Sequence, residues 1–139
     1  MRTYFDSSAL VPLLLRRSRF HIAAAAALKA AGAEAVTSTH ALAETFRTLT
    51  SLTPDPLPPK AARELIRSLD KVMEVRPLSR DDYDDALAAM AAQGLSGPIV
   101  YDALHCCTAK RANASLILTR NAKHLRLFSG NIAVVELGN

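Results

Sequence analysis

The stretch Arg2-Thr3-Tyr4-Phe5-Asp6-Ser7-Ser8-Ala9-Leu10-Val11 changes character in its middle, and that change constrains the rest of the chain. Thr3, Tyr4 and Phe5 are β-branched or aromatic and suit a short strand. Asp6 ends the apolar run, and Ser7 or Ser8 offers a cap. Ala9 to Leu15 then reads as a helix, with Pro12 tolerated in its first turn. A strand that passes directly into a helix opens an α/β unit. It leaves Asp6 at the carboxyl end of the strand, where open α/β sheets gather ligands. Taken alone, Asp6 is more simply a helix cap. It becomes a site residue only if other acids reach the same edge.

The alternation continues. Arg19 to Ala31 is an alanine-rich helix stopped by Gly32, and Ala35-Val36-Thr37 is a short strand. Ser38 or Thr39 caps a helix through His40 to Leu49, with Leu42, Phe46 and Leu49 on one face. Thr53 to Pro59 is a proline-rich turn rather than a domain linker, since neither side is large enough to stand alone. A helix over Lys60 to Leu69 precedes a strand near Val72 to Val75. Ser79 caps the next helix, which carries Asp81 and Asp82 in its first turn, reaches Ala92 and ends at Gly94. Gly97-Pro98 makes a turn, Ile99 to Asn113 a helix, and Leu116-Ile117-Leu118 and Ile132 to Val135 the last strands. Apolar strands alternating with helices predict a parallel sheet covered on both faces. The expected architecture is a three-layer α/β/α sandwich, one domain over residues 1–139.

A chain of 139 residues, half of them hydrophobic, has the core such a fold needs. Its net charge of +4 permits a polyanionic partner without requiring one. The basic residues Lys110, Arg111, Arg120, Lys123 and Arg126 fall late, whereas most acids lie between Asp55 and Asp85. Cys106 and Cys107 are adjacent, a spacing too strained for a ready bridge, and read as reduced thiols of a cytoplasmic protein. Val11 to Leu15 is too short to span a membrane, so no membrane association is expected.

Asp6 ends a strand, Glu44 lies in the first or second turn of a helix, and Asp102 lies near the start of another. In a doubly wound sheet those positions share one edge. Three carboxylates brought together repel unless a cation compensates. Mg²⁺ or Mn²⁺ suits such ligands and activates water toward a phosphodiester. Competing groupings are weaker. His105, Cys106 and Asp102 suggest zinc but fall short of a structural site's four ligands. His40, one turn before Glu44, reads by default as exposed or capping. Asp81, Asp82, Asp84 and Asp85 point around a helix and read as its solvated start. Arg16, Arg17 and Arg19 suit RNA phosphates, an acidic partner or plain solvation equally well. A phosphotransferase using Asp6 as covalent acceptor would want a second Asp two residues on, where Ser8 stands, or a suitably placed lysine.

Thr3-Tyr4-Phe5-Asp6-Ser7-Ser8-Ala9-Leu10, Ala43-Glu44, Val100-Tyr101-Asp102-Ala103-Leu104-His105 and Leu118-Thr119-Arg120-Asn121-Ala122-Lys123-His124 resemble the PIN domain in order and spacing. The resemblance covers essentially the whole chain and is nearest to the small VapC-type toxins of bacteria and archaea. It implies a Mg²⁺- or Mn²⁺-dependent endoribonuclease, the toxin of a type II toxin–antitoxin pair, acting on RNA. It further implies a homodimer held inactive by a small antitoxin protein, with Asp6, Glu44 and Asp102 as the catalytic, metal-binding acids. The family often places a fourth acid after the fourth strand, where this chain has Asn121 and His124. One well-bound metal is therefore expected, and the alternative is a catalytically weak PIN-like module that binds RNA or protein. Arg16, Arg17, Arg120 and Lys123 are the candidate RNA contacts. The helix Ile22 to Ala31 and those flanking the proline turn are the candidate partner faces.

Overall fold

Thr3, Tyr4 and Phe5 form a fully buried strand, β1 (Thr3–Phe5), at the centre of a sheet in the computed structural model, which describes residues 1–138. Alternate side chains of a strand face opposite ways. Accordingly Tyr4, Val36 and Ile117 join one apolar cluster, while Phe5, Ala35 and Leu118 join the other. Helices cover both faces, as an all-parallel sheet requires.

On the Phe5 side lie α1 (Ser7–Leu14), α2 (His21–Ala31) and α3 (Thr39–Leu49), with α4 (Pro59–Ser68) packed on α3. On the Tyr4 side lie α5 (Arg80–Ala92), α6 (Ile99–Arg111) and the short α7 (Ala122–Leu125). The other strands are β2 (Ala35–Ser38), β3 (Glu74–Arg76), β4 (Leu116–Thr119) and β5 (Ala133–Glu136). All five run parallel in the order β3-β2-β1-β4-β5. The three-layer expectation therefore holds. The chain steps outward from β1 through β2 to β3, then returns to the other side of β1. The switch between β1 and β4 opens a crevice at their carboxyl ends, which is where this class of sheet binds ligands.

Several local expectations give way to tertiary structure. The α1 cap is Asp6 itself, whose Oδ1 accepts from the Ala9 backbone N–H at 3.1 Å, so the helix begins at Ser7. The buried stripe of α3 is Ala41, Thr45 and Leu49, and Phe46 stays 38% exposed. Ala41 and Thr45 take the inward positions on the turns where α3 lies against α1, and more bulk there would hold the backbones apart. Asp82 is not solvated: it closes a capping box with Ser79 and is 3% exposed. Two strands sit later than expected. Residues 69–71 form a 3-10 turn, so β3 pairs Val36 with Glu74, and β5 runs on to pair Glu136 with Thr119.

Candidate metal centre at the carboxyl edge of the sheet

Asp6 leaves β1 at the switch point, and both its carboxylate oxygens are held. Oδ1 accepts from the Ser8 hydroxyl at 2.7 Å as well as from the Ala9 N–H, and Oδ2 accepts from the Thr119 hydroxyl at 2.7 Å. The same two hydroxyls accept from the next loop, Arg120 N–H onto Ser8 at 2.8 Å and Asn121 N–H onto Thr119 at 3.0 Å. Ser8 and Thr119 thus rivet the end of β1 to the end of β4. Ser8 falls within the sequence motif; its role emerges only once β4 is placed beside β1.

Glu44 projects from α3 toward α6, where His105 Nε2 stands 2.5 Å from its Oε1. His105 is 4% exposed, and its Nδ1 lies 2.7 Å from the Tyr4 hydroxyl, which donates to Ser38 Oγ at 2.8 Å. Ser38 is also the α3 cap, accepting from the Ala41 N–H. A buried polar line therefore runs from the start of α3 through β1 to α6 and back to Glu44. Burial works against a charged His105, but its hydrogen bond to Glu44 and the carboxylates of Asp6, Glu44 and Asp102 outweigh it and hold the imidazole above its ordinary value. Burial likewise opposes a charged Glu44, and His105 and His40 still carry it below the usual carboxylate range. Burial also pushes His40 down, a shift Glu44 only partly offsets. His40 stacks on Tyr101 with ring centroids 5.3 Å apart, and its Nε2 lies 3.5 Å from Glu44 Oε1.

Asp102, in the first turn of α6, receives no hydrogen bond from a described residue, and His124 Nδ1 lies 3.7 Å from its Oδ2. Burial lifts its carboxyl above the ordinary range; His105 and His124 pull against that, while Asp6 and Glu44 add to it. Asp6, Glu44 and Asp102 thus feel one another across the crevice. The one trio of donor atoms packed within 4.8 Å among the described residues is a different one, His40, Glu44 and His105. By donor type, though not by closure to within 4.8 Å, the set Asp6, Glu44 and Asp102 would suit a hard divalent cation. It is oxygen-only, carries no lysine or arginine partner, and includes one carboxylate lacking donors.

The remaining candidates separate. Cys106 faces the core, its thiol donating to the Leu125 carbonyl at 3.3 Å and pushed up to about 12 by burial, so it does not join His105 and Asp102 around zinc. Asn121 and His124 line one cavity with Asp102, Lys123 and Glu136. Glu136 was hidden because the sequence ends the last strand at Val135; the ladder extends it, and its Oε1 accepts from the Ala122 N–H at 3.1 Å. Arg120 and Asn121 line a second cavity with Ser7, Glu44 and Arg47. Arg47, one turn after Glu44, is a cation at the site that motif reading passed over. Arg120 also lies over the Phe20 ring, 3.4 Å from its centroid. Arg16 is exposed. Arg17 pairs with Asp55 at 3.4 Å and ties down the proline turn instead of facing the crevice.

The PIN domain family model matches residues 3–128, nearly the whole chain. The chain belongs to the PIN domain family. Its fold is shared with solved VapC toxins and toxin–antitoxin complexes. Mycobacterium tuberculosis VapC20, described as a sarcin-ricin loop cleaving toxin, superposes with a TM-score of 0.72 at 16% identity over 88% of this chain and 92% of that one. VapBC2 from Rickettsia felis, bound to a promoter DNA fragment, gives 0.71 at 15% identity over 99% and 100%. A Klebsiella pneumoniae toxin–antitoxin complex gives 0.67 at 21% identity over 96% and 95%. No curated protein matches the chain by sequence. No described helix of this PIN domain is long and apolar enough to cross a membrane.

Proposed function

We propose that this PIN domain is a metal-dependent endoribonuclease, the toxin of a toxin–antitoxin pair, acting in the cytoplasm. The observation that carries the reading is the gathering of Asp6, Glu44 and Asp102 at the β1/β4 switch point without a lysine or arginine to neutralise them. Mg²⁺ or Mn²⁺ bound by these carboxylates would supply charge neutralisation and an activated water for phosphodiester hydrolysis. The protein's own share is orientation. Ser8 and Thr119 fix the Asp6 carboxylate, and the Tyr4–His105 line fixes Glu44. Arg47, Arg120 and Lys123 border the cavities beside Glu44 and Asp102, where cationic side chains would grip RNA phosphates.

A small antitoxin and a second copy of the chain are the proposed partners. Toxin–antitoxin complexes are among the structural relatives, and α2 leaves Ile22 83% exposed beside its alanine face. Light scattering of the purified chain should give a dimer, and a strict monomer at high concentration would remove that part of the reading. The catalytic part is tested by incubating RNA with the protein in Mg²⁺, in Mn²⁺ and in excess chelator. Cleavage should require the ion, and full activity in chelator would overturn the reading.

A further inference from the structure

We propose that His40, Glu44 and His105 form a second metal site, built for a borderline-soft divalent ion of the zinc class and distinct from the hard-cation position at Asp6 and Asp102. One donor atom from each of the three lies within 4.8 Å of the other two. Two imidazoles and one carboxylate make the donor set of a catalytic-type zinc site, with a fourth position left for water. Imidazole nitrogen favours zinc over magnesium, so this trio and the all-oxygen set select different ions.

Both histidines are prepared for ligation. With its Nδ1–H donated to the Tyr4 hydroxyl at 2.7 Å, and that hydroxyl donated to Ser38, His105 points Nε2 at Glu44 in the tautomer a metal requires. An outer hydrogen bond of this kind is what orients metal-binding histidines generally. His40 is fixed by its stack on Tyr101, and its Nε2 is buried with no hydrogen-bond partner. An ion pair between His105 and Glu44 accounts for His105 but leaves His40 Nε2 with only a 3.5 Å approach to the same Glu44 oxygen and no hydrogen bond. A shared ion accounts for both. The incoming ion takes the place of the proton between His105 Nε2 and Glu44 Oε1, and the proton passes to solvent. Because Glu44 belongs to both donor sets, an ion held by the histidines withdraws it from Asp6 and Asp102. Zinc would then oppose any chemistry that depends on the hard cation.

The binding claim does not rest on RNA cleavage, and its test uses no RNA. The full chain is titrated with Co²⁺, whose visible absorption reports low-coordinate nitrogen and oxygen ligation, and Zn²⁺ is then competed against a chromophoric chelator. One equivalent of Co²⁺ should give visible bands that one equivalent of Zn²⁺ removes. His40→Ala should weaken Zn²⁺ binding by at least about tenfold, while Asp6→Asn should retain it. His40 is half-buried in the first turn of α3, so its truncation spares the core that His105→Gln would disturb. Zn²⁺ affinity unchanged by His40→Ala, or lost in Asp6→Asn, would place the ion on the carboxylates and overturn the proposal. Absence of Co²⁺ bands in the wild type would overturn it as well.

Discussion

Asp81, Asp82, Asp84 and Asp85 stand together in sequence, whereas Asp6, Glu44 and Asp102 are scattered along the chain. Folding reverses the two patterns. The α5 acids disperse around the helix, and three of them take structural partners. Asp82 caps the helix and meets Arg111 Nε at 3.0 Å, near enough for charge attraction though not in line for a hydrogen bond. Asp85 takes the other end of Arg111 at 2.5 Å, and Asp84 pairs with Arg80 at 3.2 Å. The edge acids converge and receive only hydroxyls, amides and histidines. A carboxylate cluster supplied with its own guanidinium is structural. One left without such a partner would leave charge for a cation from outside to balance, as proposed for Asp6, Glu44 and Asp102.

The contrast breaks first, if it is wrong, on activity. Asp6→Asn and Asp102→Asn should each lower Mg²⁺-dependent RNA cleavage by about a hundredfold or more. Asp84→Asn and Asp85→Asn should leave cleavage unchanged on the same gel. Similar losses in both groups would erase the distinction between structural and site acids.

Stability should divide the same clusters the other way. Asp82→Asn weakens a cap and leaves Arg111 short of a charge, at a cost of about 1–3 kcal/mol in urea unfolding. Asp102→Asn should raise Tm at neutral pH. Its carboxyl is held above the ordinary range by burial, so the folded state disfavours the charged form and loses stability as pH rises past the unfolded value. A neutral amide escapes that penalty. A fall in Tm for Asp102→Asn would show that its charge is already compensated.

The histidine beneath Glu44 predicts a smaller, pH-dependent effect. His105 is raised above 6.5 by its hydrogen bond to Glu44 and the nearby carboxylates, against the pull of burial. Its contribution is therefore complete below 6.5 and disappears as pH climbs through the raised folded value. Chemical unfolding of the wild type should weaken across that alkaline side, and the slope should flatten in His105→Gln. An unchanged slope would locate the titration elsewhere.

The least effect belongs to the fourth position. Asn121→Asp adds a carboxylate beside Asp102 and should lower the Mg²⁺ needed for half-maximal cleavage by roughly threefold to tenfold. Calorimetry of the wild type should show one tight Mn²⁺ site. Two tight sites would mean that Glu136, across the same cavity, already supplies the missing charge.

Much of the fold was legible because its signals are local. The Tyr4/Phe5 alternation, the caps at Ser38 and Ser79 and the apolar run Leu116-Ile117-Leu118 each declare themselves within a few residues. The ends of β3 and β5 did not, since a partner strand's ladder decides how far each runs. The three carboxylates proposed for the site could be named because the motif flanks each of them. His105 could not be given a role. It sits in an otherwise apolar helix, and what gives it meaning is Tyr4 on β1 and Glu44 on α3. Arg47 and Glu136 escaped for the same reason: their neighbours at the crevice come from other elements.

The Ser8–Thr119 clasp has a consequence in time as well as space. A ribosome makes Asp6 and Ser8 before β2, β3 and the helices α2 to α6, and Thr119 only after them. Until then the first carboxylate has no β4 hydroxyl to hold it and no neighbouring loop to carry Arg120 and Asn121 into place. A polypeptide still being elongated is therefore without a finished crevice. If the finished crevice cuts RNA, that capacity waits on the making of β4 and of the loop that carries Arg120 and Asn121.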